Sequence, residues 1–124
     1  MTEKVKILLV EDEAITAMML ESELQDMGYQ VYNPIATGEA AVKAGKKYRF
    51  DVVLMDIRLA GKMNGIEAAK KILSYYQVPI IFMTGYSEHH IKVQAQALGA
   101  AAYLVKPIDS TEIKLIIDGL FGEK

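Results

Sequence analysis

Of five short apolar runs, four are followed directly by a residue able to do ionic or hydroxyl chemistry. Glu11-Asp12 follows residues 5–10, Asp56 follows 51–55, Thr84 follows 78–83, and Lys106-Pro107 follows 101–105; the run at 30–36 carries no such group. Each residue has an ordinary explanation in isolation. Asp12 and Glu13 could cap a helix, Asp56 could belong to a turn, Thr84 to a strand, and Lys106 to a solvated surface. Gathered in one place they mean something else. Three carboxylates crowded together raise one another's pKa unless a cation joins them, and a set of oxygen ligands alone suits Mg²⁺. The three negative charges of Glu11, Asp12 and Asp56 balance the three positive charges of one Mg²⁺ and Lys106. A nucleophilic carboxylate, fixed positive charge and a hydroxyl donor are the parts that phosphoryl transfer requires.

The elements decide whether these residues meet. The runs at 5–10, 30–36, 51–55, 78–83 and 101–105 are rich in branched residues and read as short buried strands. Between and after them, apolar residues recur at three or four positions: Leu20, Leu24 and Met27; Ile66, Ala69 and Leu73; Ile91, Ala95 and Leu98; Ile113, Ile117 and Leu120. The second helix rests on Ala41, Ala44 and Tyr48. A strand, a helix and two loops occupy roughly 25 residues, so five such units fill the chain. Strict alternation implies an α/β doubly wound (βα)₅ sandwich with a parallel sheet, and such sheets hold ligands at the carboxyl ends of their strands. That edge is where Glu11, Asp12, Asp56, Thr84 and Lys106 fall.

Composition removes other classes. The 124 residues suffice for one core, and 52% apolar with 24% charged residues is the balance of a globular chain. A formal charge of −2 without runs of one sign argues against nucleic acid and anionic lipid as partners. No cysteine is present, which excludes disulfides and thiolate chemistry. The longest apolar stretches are too short to span a membrane, and residues 1–4 lack the apolar core of a signal peptide. His89-His90 should open the fourth helix as solvated residues, and the seven methionines read as core filler, with surface ones available to a partner.

Taken in order and spacing, Val10-Glu11-Asp12-Glu13, Met55-Asp56, Met63-Asn64-Gly65, Thr84-Gly85, Tyr103 and Lys106-Pro107 resemble the response-regulator receiver family over essentially the whole chain. The resemblance implies a five-stranded sheet of order 2-1-3-4-5 and a phosphoacceptor at Asp56, fed by a sensor histidine kinase or a histidine phosphotransfer protein. It also implies Mg²⁺ held by Asp12, Glu11, Asp56 and the backbone carbonyl of Arg58. Thr84 and Lys106 would hold phosphoryl oxygens, Thr84 and Tyr103 would form the switch, and Arg58 and Tyr86 would tune dephosphorylation. The Lys106-Pro107 bond is expected to be cis. A cytoplasmic domain over residues 1–124 without an output module follows, with chemistry limited to its own phosphorylation and dephosphorylation. Its fourth helix, fifth strand and fifth helix would form the responsive face, through which a homodimer could form.

Two positions depart from the family pattern. Ala60 stands where a proline is usual, and Gly65 lies nine rather than eight residues after Asp56, so this loop is one residue longer. Three rival readings fare worse. A haloacid-dehalogenase-like phosphatase would need Asp-x-Asp where this chain has Asp56-Ile57-Arg58. A flavodoxin-like cofactor site would not place Glu11-Asp12-Glu13 against a phosphate, and a pseudo-receiver would not retain all five site residues.

Overall fold

A computed structural model describes residues 4–85 and 88–122. Five strands alternate with five helices: β1 (Lys6–Val10), α1 (Ala14–Asp26), β2 (Gln30–Val31), α2 (Gly38–Lys47), β3 (Val52–Asp56), α3 (Gly65–Leu73), β4 (Ile80–Thr84), α4 (His89–Ala97), β5 (Ala102–Val105) and α5 (Ser110–Phe121). All strands are parallel, in the order β2-β1-β3-β4-β5. The doubly wound (βα)₅ sandwich expected from the alternation is the fold observed.

Because side chains alternate across a strand, the two faces of the sheet draw on interleaved residues. Leu8, Val10, Val53, Met55, Ile80 and Phe82 pack with Ala41, Ala44, Ile66, Ala69, Ile72 and Ala95 from α2, α3 and α4. Ile7, Leu9, Val52, Leu54, Ile81 and Met83 pack with Leu20, Leu24, Ile113 and Ile117 from α1 and α5. Strands buried on both faces must read as unbroken apolar runs, and β3 and β4 are buried at every position. Each fully buried Leu, Ile or Phe contributes about 1.5–3 kcal/mol through removal from water.

Three details differ from the sequence reading. The run at 30–36 pairs regularly only over Gln30–Val31; Pro34 has no N–H to give, and contact with β1 resumes as an isolated bridge at Ile35, whose N–H donates to Leu9 O at 3.0 Å. Leu120 and Tyr48 continue the helical spacing but are exposed, because α5 outruns the sheet and Tyr48 lies just past α2, with its ring against Tyr32 and Phe50. Met18 and Met19 lie exposed on α1 rather than in the core, whereas Met55 and Met83 are buried. His89 and His90 open α4 and face solvent, as expected.

Three helix starts are fixed by local chemistry, that of α5 by the Asp109 carboxylate, which accepts the Thr111 N–H at 3.0 Å. Thr37 accepts a hydrogen bond from the Ala40 N–H, and at α3 Asn64 and Glu67 form a reciprocal capping box. Gly65 then has to be glycine: a Cβ there would run into the carbonyl oxygen of Asp56.

Candidate functional site

The strand register brings the sequence candidates to one edge. Val10 pairs with Met55, Asp56 with Met83, and Thr84 with Val105, so Glu11, Asp56, Thr84 and Lys106 emerge from four adjacent strands at the same level. Glu11, Asp56 and Thr84 are all nearly fully buried, which is unusual for two acids unless they are paired. The pairing comes from Lys106. Its ammonium lies 2.8 Å from Asp56 Oδ2 and 2.8 Å from Glu11 Oε1. One ammonium thus bridges both buried carboxylates, by a hydrogen bond to Asp56 and an ion pair with Glu11.

Electrostatics follow from this arrangement. Burial disfavours the Glu11 carboxylate and raises its pKa above 4.5; Lys106 and the Glu13 N–H oppose the rise, and the nearby Asp56 charge adds to it. Burial alone would lower the Lys106 pKa, but the carboxylates of Asp56 and Glu11 outweigh it and the ammonium is held above its ordinary value. Glu11 also serves the backbone, since its Oε2 accepts the Glu13 N–H at 3.0 Å at the entrance to α1. Glu13 itself makes no capping bond, so the capping explanation for this acidic run does not describe what its side chain does.

Asp12 is exposed and completes a set in which Glu11, Asp12 and Asp56 each offer an oxygen within 4.8 Å of the others. An all-oxygen set of three carboxylates converging at that distance suits a hard divalent cation. The cluster opens into a cavity of about 370 Å³ lined by Asp12, Glu13, Asp56, Arg58, Gly85 and Lys106. Arg58, expected to supply a backbone carbonyl to the metal, therefore borders the same space. Tyr86 lies outside the described residues.

Tyr103 pairs in register with Phe82, two residues before Thr84, and its ring joins the core beneath α4. Its hydroxyl is buried without a hydrogen-bond partner among the described residues, and its pKa is raised by burial and then by the charge of Glu88. The Lys106-Pro107 bond is cis. Sequence reasoning missed Glu88, whose carboxylate takes the Arg58 guanidinium at 3.1 Å. Thirty positions separate the pair, so no local spacing announces it.

The longer loop after β3 is held at both ends and in the middle. Gly65 N–H donates to Ile57 O at 2.7 Å, Thr37 and Ala60 form a parallel bridge, and Glu39 accepts the Lys62 N–H at 3.2 Å beside Gly61, whose φ is +90°. The loop thus docks on the start of α2, where Gly38 leaves room for Met63.

Comparison with known proteins agrees with this geometry. The family model described as the response regulator receiver domain matches residues 7–118. The transcriptional regulatory protein PdtaR of Mycobacterium tuberculosis is 33% identical over 108 residues, covering 87% of this chain and 52% of that protein. The cell cycle transcriptional regulator CtrA of Caulobacter vibrioides is 35% identical over 109 residues, covering 87% and 46% respectively. The chain thus spans about half the length of these curated relatives. Among solved structures, the receiver domain of the sensor histidine kinase PA1611 from Pseudomonas aeruginosa, which has a magnesium ion coordinated in its active site cleft, superposes with a TM-score of 0.86. It is 31% identical, with 98% of this chain and 100% of that one covered. A CheY-like receiver domain protein from Methanospirillum hungatei gives a TM-score of 0.89 at 26% identity, covering 95% of this chain and 94% of that one.

Proposed function

The chain belongs to the response-regulator receiver family, and on that premise we propose that it accepts a phosphoryl group on Asp56 from a sensor histidine kinase or a histidine phosphotransfer protein. The observation that carries the reading is the Lys106 ammonium held 2.8 Å from both Asp56 and Glu11, beside a three-carboxylate cluster at the ends of the strands.

In the transfer, an Asp56 carboxylate oxygen forms the new P–O bond as the P–N bond to the donor imidazole breaks, and the electron pair leaves with the imidazole. Asp56 is placed for this by β3 and by Lys106. The ammonium that neutralises the carboxylate at rest is positioned to shift onto a phosphoryl oxygen, where fixed positive charge stabilises the transition state. Thr84 would donate its hydroxyl to a second oxygen. Mg²⁺, held by Glu11, Asp12, Asp56 and the Arg58 carbonyl, would supply further charge on the phosphoryl oxygens. The known magnesium site of the PA1611 receiver supports this assignment.

A protein donor is favoured by the surface beside the cavity. Ile15, Met18 and Met19 are exposed on α1, and a groove of about 460 Å³ runs from Met19 and Leu20 to Pro107 and Ile108, reaching Lys106. An apolar rim around a charged centre suits a docked helix better than a small solute. The exposed Val93, Val105 and Leu115 lie on α4, β5 and α5, which supports that surface as the responsive face and homodimer contact. No helix among the described residues is long and apolar enough to cross a membrane, and we assign the domain to the cytoplasm with its kinase. Its chemistry is confined to its own aspartyl phosphate. Arg58 and Tyr86 are assigned to shield that bond from water, and a shorter phosphoryl lifetime in Tyr86→Ala is the check on the second of them.

The deciding experiment is intact mass spectrometry after incubation with acetyl phosphate and Mg²⁺. The parent is expected to gain one phosphoryl group and Asp56→Asn none; equal, stable, Mg²⁺-dependent labelling of Asp56→Asn would overturn the assignment.

A further inference from the structure

Arg58 stands between two cavities. One is the Asp56 cavity; the other, of about 330 Å³, lies against α4 and is lined by Ile57, Asn64, Thr84, Glu88, His90 and Ile91 as well as Arg58, which among the described residues lines both. Arg58 lies only two positions after Asp56, yet its guanidinium is drawn to the second cavity, where Nη2 meets Glu88 Oε1 at 3.1 Å. Glu88 occupies the N-cap position of α4 but makes no capping hydrogen bond. Its carboxylate is thus not spent on its own helix.

The pair does little for the fold. The two side chains are 61% and 43% exposed, and ion pairs in that setting are weak and screened. A weak pair, however, is one that a stronger partner can break. A phosphoryl group on Asp56 offers a guanidinium two or more anionic oxygens in a planar, bidentate arrangement, which a carboxylate at the rim does not match in charge.

We propose that Glu88 is a positioning residue that sets the lifetime of the phosphoryl group on Asp56, by competing with it for the guanidinium of Arg58. This rests on the reading of Asp56 as phosphoacceptor. Hydrolysis ends the signal when a water oxygen forms a bond to phosphorus and the bond to the Asp56 oxygen breaks. The electron pair returns to the carboxylate, and the proton of the water passes to the released phosphate or to solvent. Arg58 lying across the phosphoryl group obstructs that in-line approach, and small errors of attack geometry cost much rate. While Glu88 holds Arg58 toward α4, the approach is open. Glu88 therefore shortens the signal without touching the reacting atoms.

The test is the decay of phosphorylated protein in excess Mg²⁺ for the parent, Glu88→Gln, Arg58→Ala and the double variant. Glu88→Gln should lengthen the lifetime about two- to five-fold, the range a rim ion pair can supply. In the Arg58→Ala background the same change should have no effect. Glu88→Asp, which keeps the charge, should restore part of the parental rate. A structural role alone would lower thermal stability and alter decay equally in both backgrounds. That pattern, an unchanged lifetime in Glu88→Gln, or a shorter one, overturns the proposal while leaving Asp56 as phosphoacceptor. Failure of the parent to label on Asp56 at all overturns both.

Discussion

Lys106 restrains two buried carboxylates at once, and its removal would leave both without a cation. We expect Lys106→Ala to destabilise the metal-free protein by about 2 kcal/mol, the cost of leaving a buried polar partner unsatisfied, reduced because the ammonium is partly open to water. The sign of the pH dependence follows from Glu11, whose pKa is already raised. A raised carboxylate favours the protonated form in the folded state. Without Lys106 it rises further, so the deficit should be largest at neutral pH and shrink as pH falls toward and below 4.5. Urea titrations of parent and variant at two pH values measure this. The identity of such residues was legible beforehand, because acids, hydroxyl and lysine each follow an apolar run. What the sequence withheld was the sharing: nothing in it says that one ammonium serves both Glu11 and Asp56, or that Arg58 faces Glu88, since these distances arise only when separate strands and loops are brought together.

Among the elements, the loop from β3 to α3 carries the tightest steric demand. Gly65→Ala would force a methyl group against the Asp56 carbonyl, so backbone at the site must shift. We expect it to cost about 1–3 kcal/mol, as overpacking does, and to lower phosphoryl labelling more than stability; thermal unfolding and labelling of the same sample separate the two. The glycine was visible as a motif, one residue late, but its reason was not, since it depends on how closely α3 starts beside β3. The docking of this loop on Thr37 and Glu39 was equally invisible. Helix positions were legible wherever apolar spacing met the sheet, and failed at Tyr48 and Leu120, where the spacing continues beyond the surface it would cover. In the proposed function the α4, β5 and α5 elements would also bear the switch. The buried Tyr103 hydroxyl has no hydrogen-bond partner among the described residues and feels the charge of Glu88. Adding beryllofluoride, a phosphoryl mimic, should move amide resonances across those three elements; shifts confined to the carboxylate site would remove the switch from the proposal. One charge-assisted bond, about 1.5–3 kcal/mol, falls short of the about 5.5 kcal/mol that a near-complete change of population needs, so Lys106 or a bound partner must contribute.

For the molecule as a whole, the proposed Mg²⁺ site would tie cation binding to folding. A cation that binds only the folded chain stabilises it by RT ln(1 + [L]/Kd), which is about 2.7 kcal/mol at a hundredfold excess over Kd. Thermal stability should therefore climb with Mg²⁺ concentration. Asp12→Ala should blunt the rise by weakening Kd, with little effect on the metal-free protein because Asp12 is exposed. Differential scanning fluorimetry across a Mg²⁺ series is the measurement, and a parent indifferent to Mg²⁺ would count against the assigned ligands. The global architecture was the most legible level of all: five buried runs alternating with five helical stripes admit few arrangements, and the parallel sheet is among the simplest.

The brevity of β2 bears on how the chain avoids its own kind. A parallel sheet ends in two borders of unsatisfied backbone groups, each a template onto which another chain can add a strand. On one border the regular strand stops after two residues, and Pro34 interrupts what would follow. The opposite border, β5, is twice as long at four residues and ends on the exposed Val105. The β2 margin is thereby a poor template for an added strand, which would lead to open-ended aggregation, and the proposed homodimer contact lies at the other border, where α4 and α5 flank β5 and a two-fold contact would close on itself.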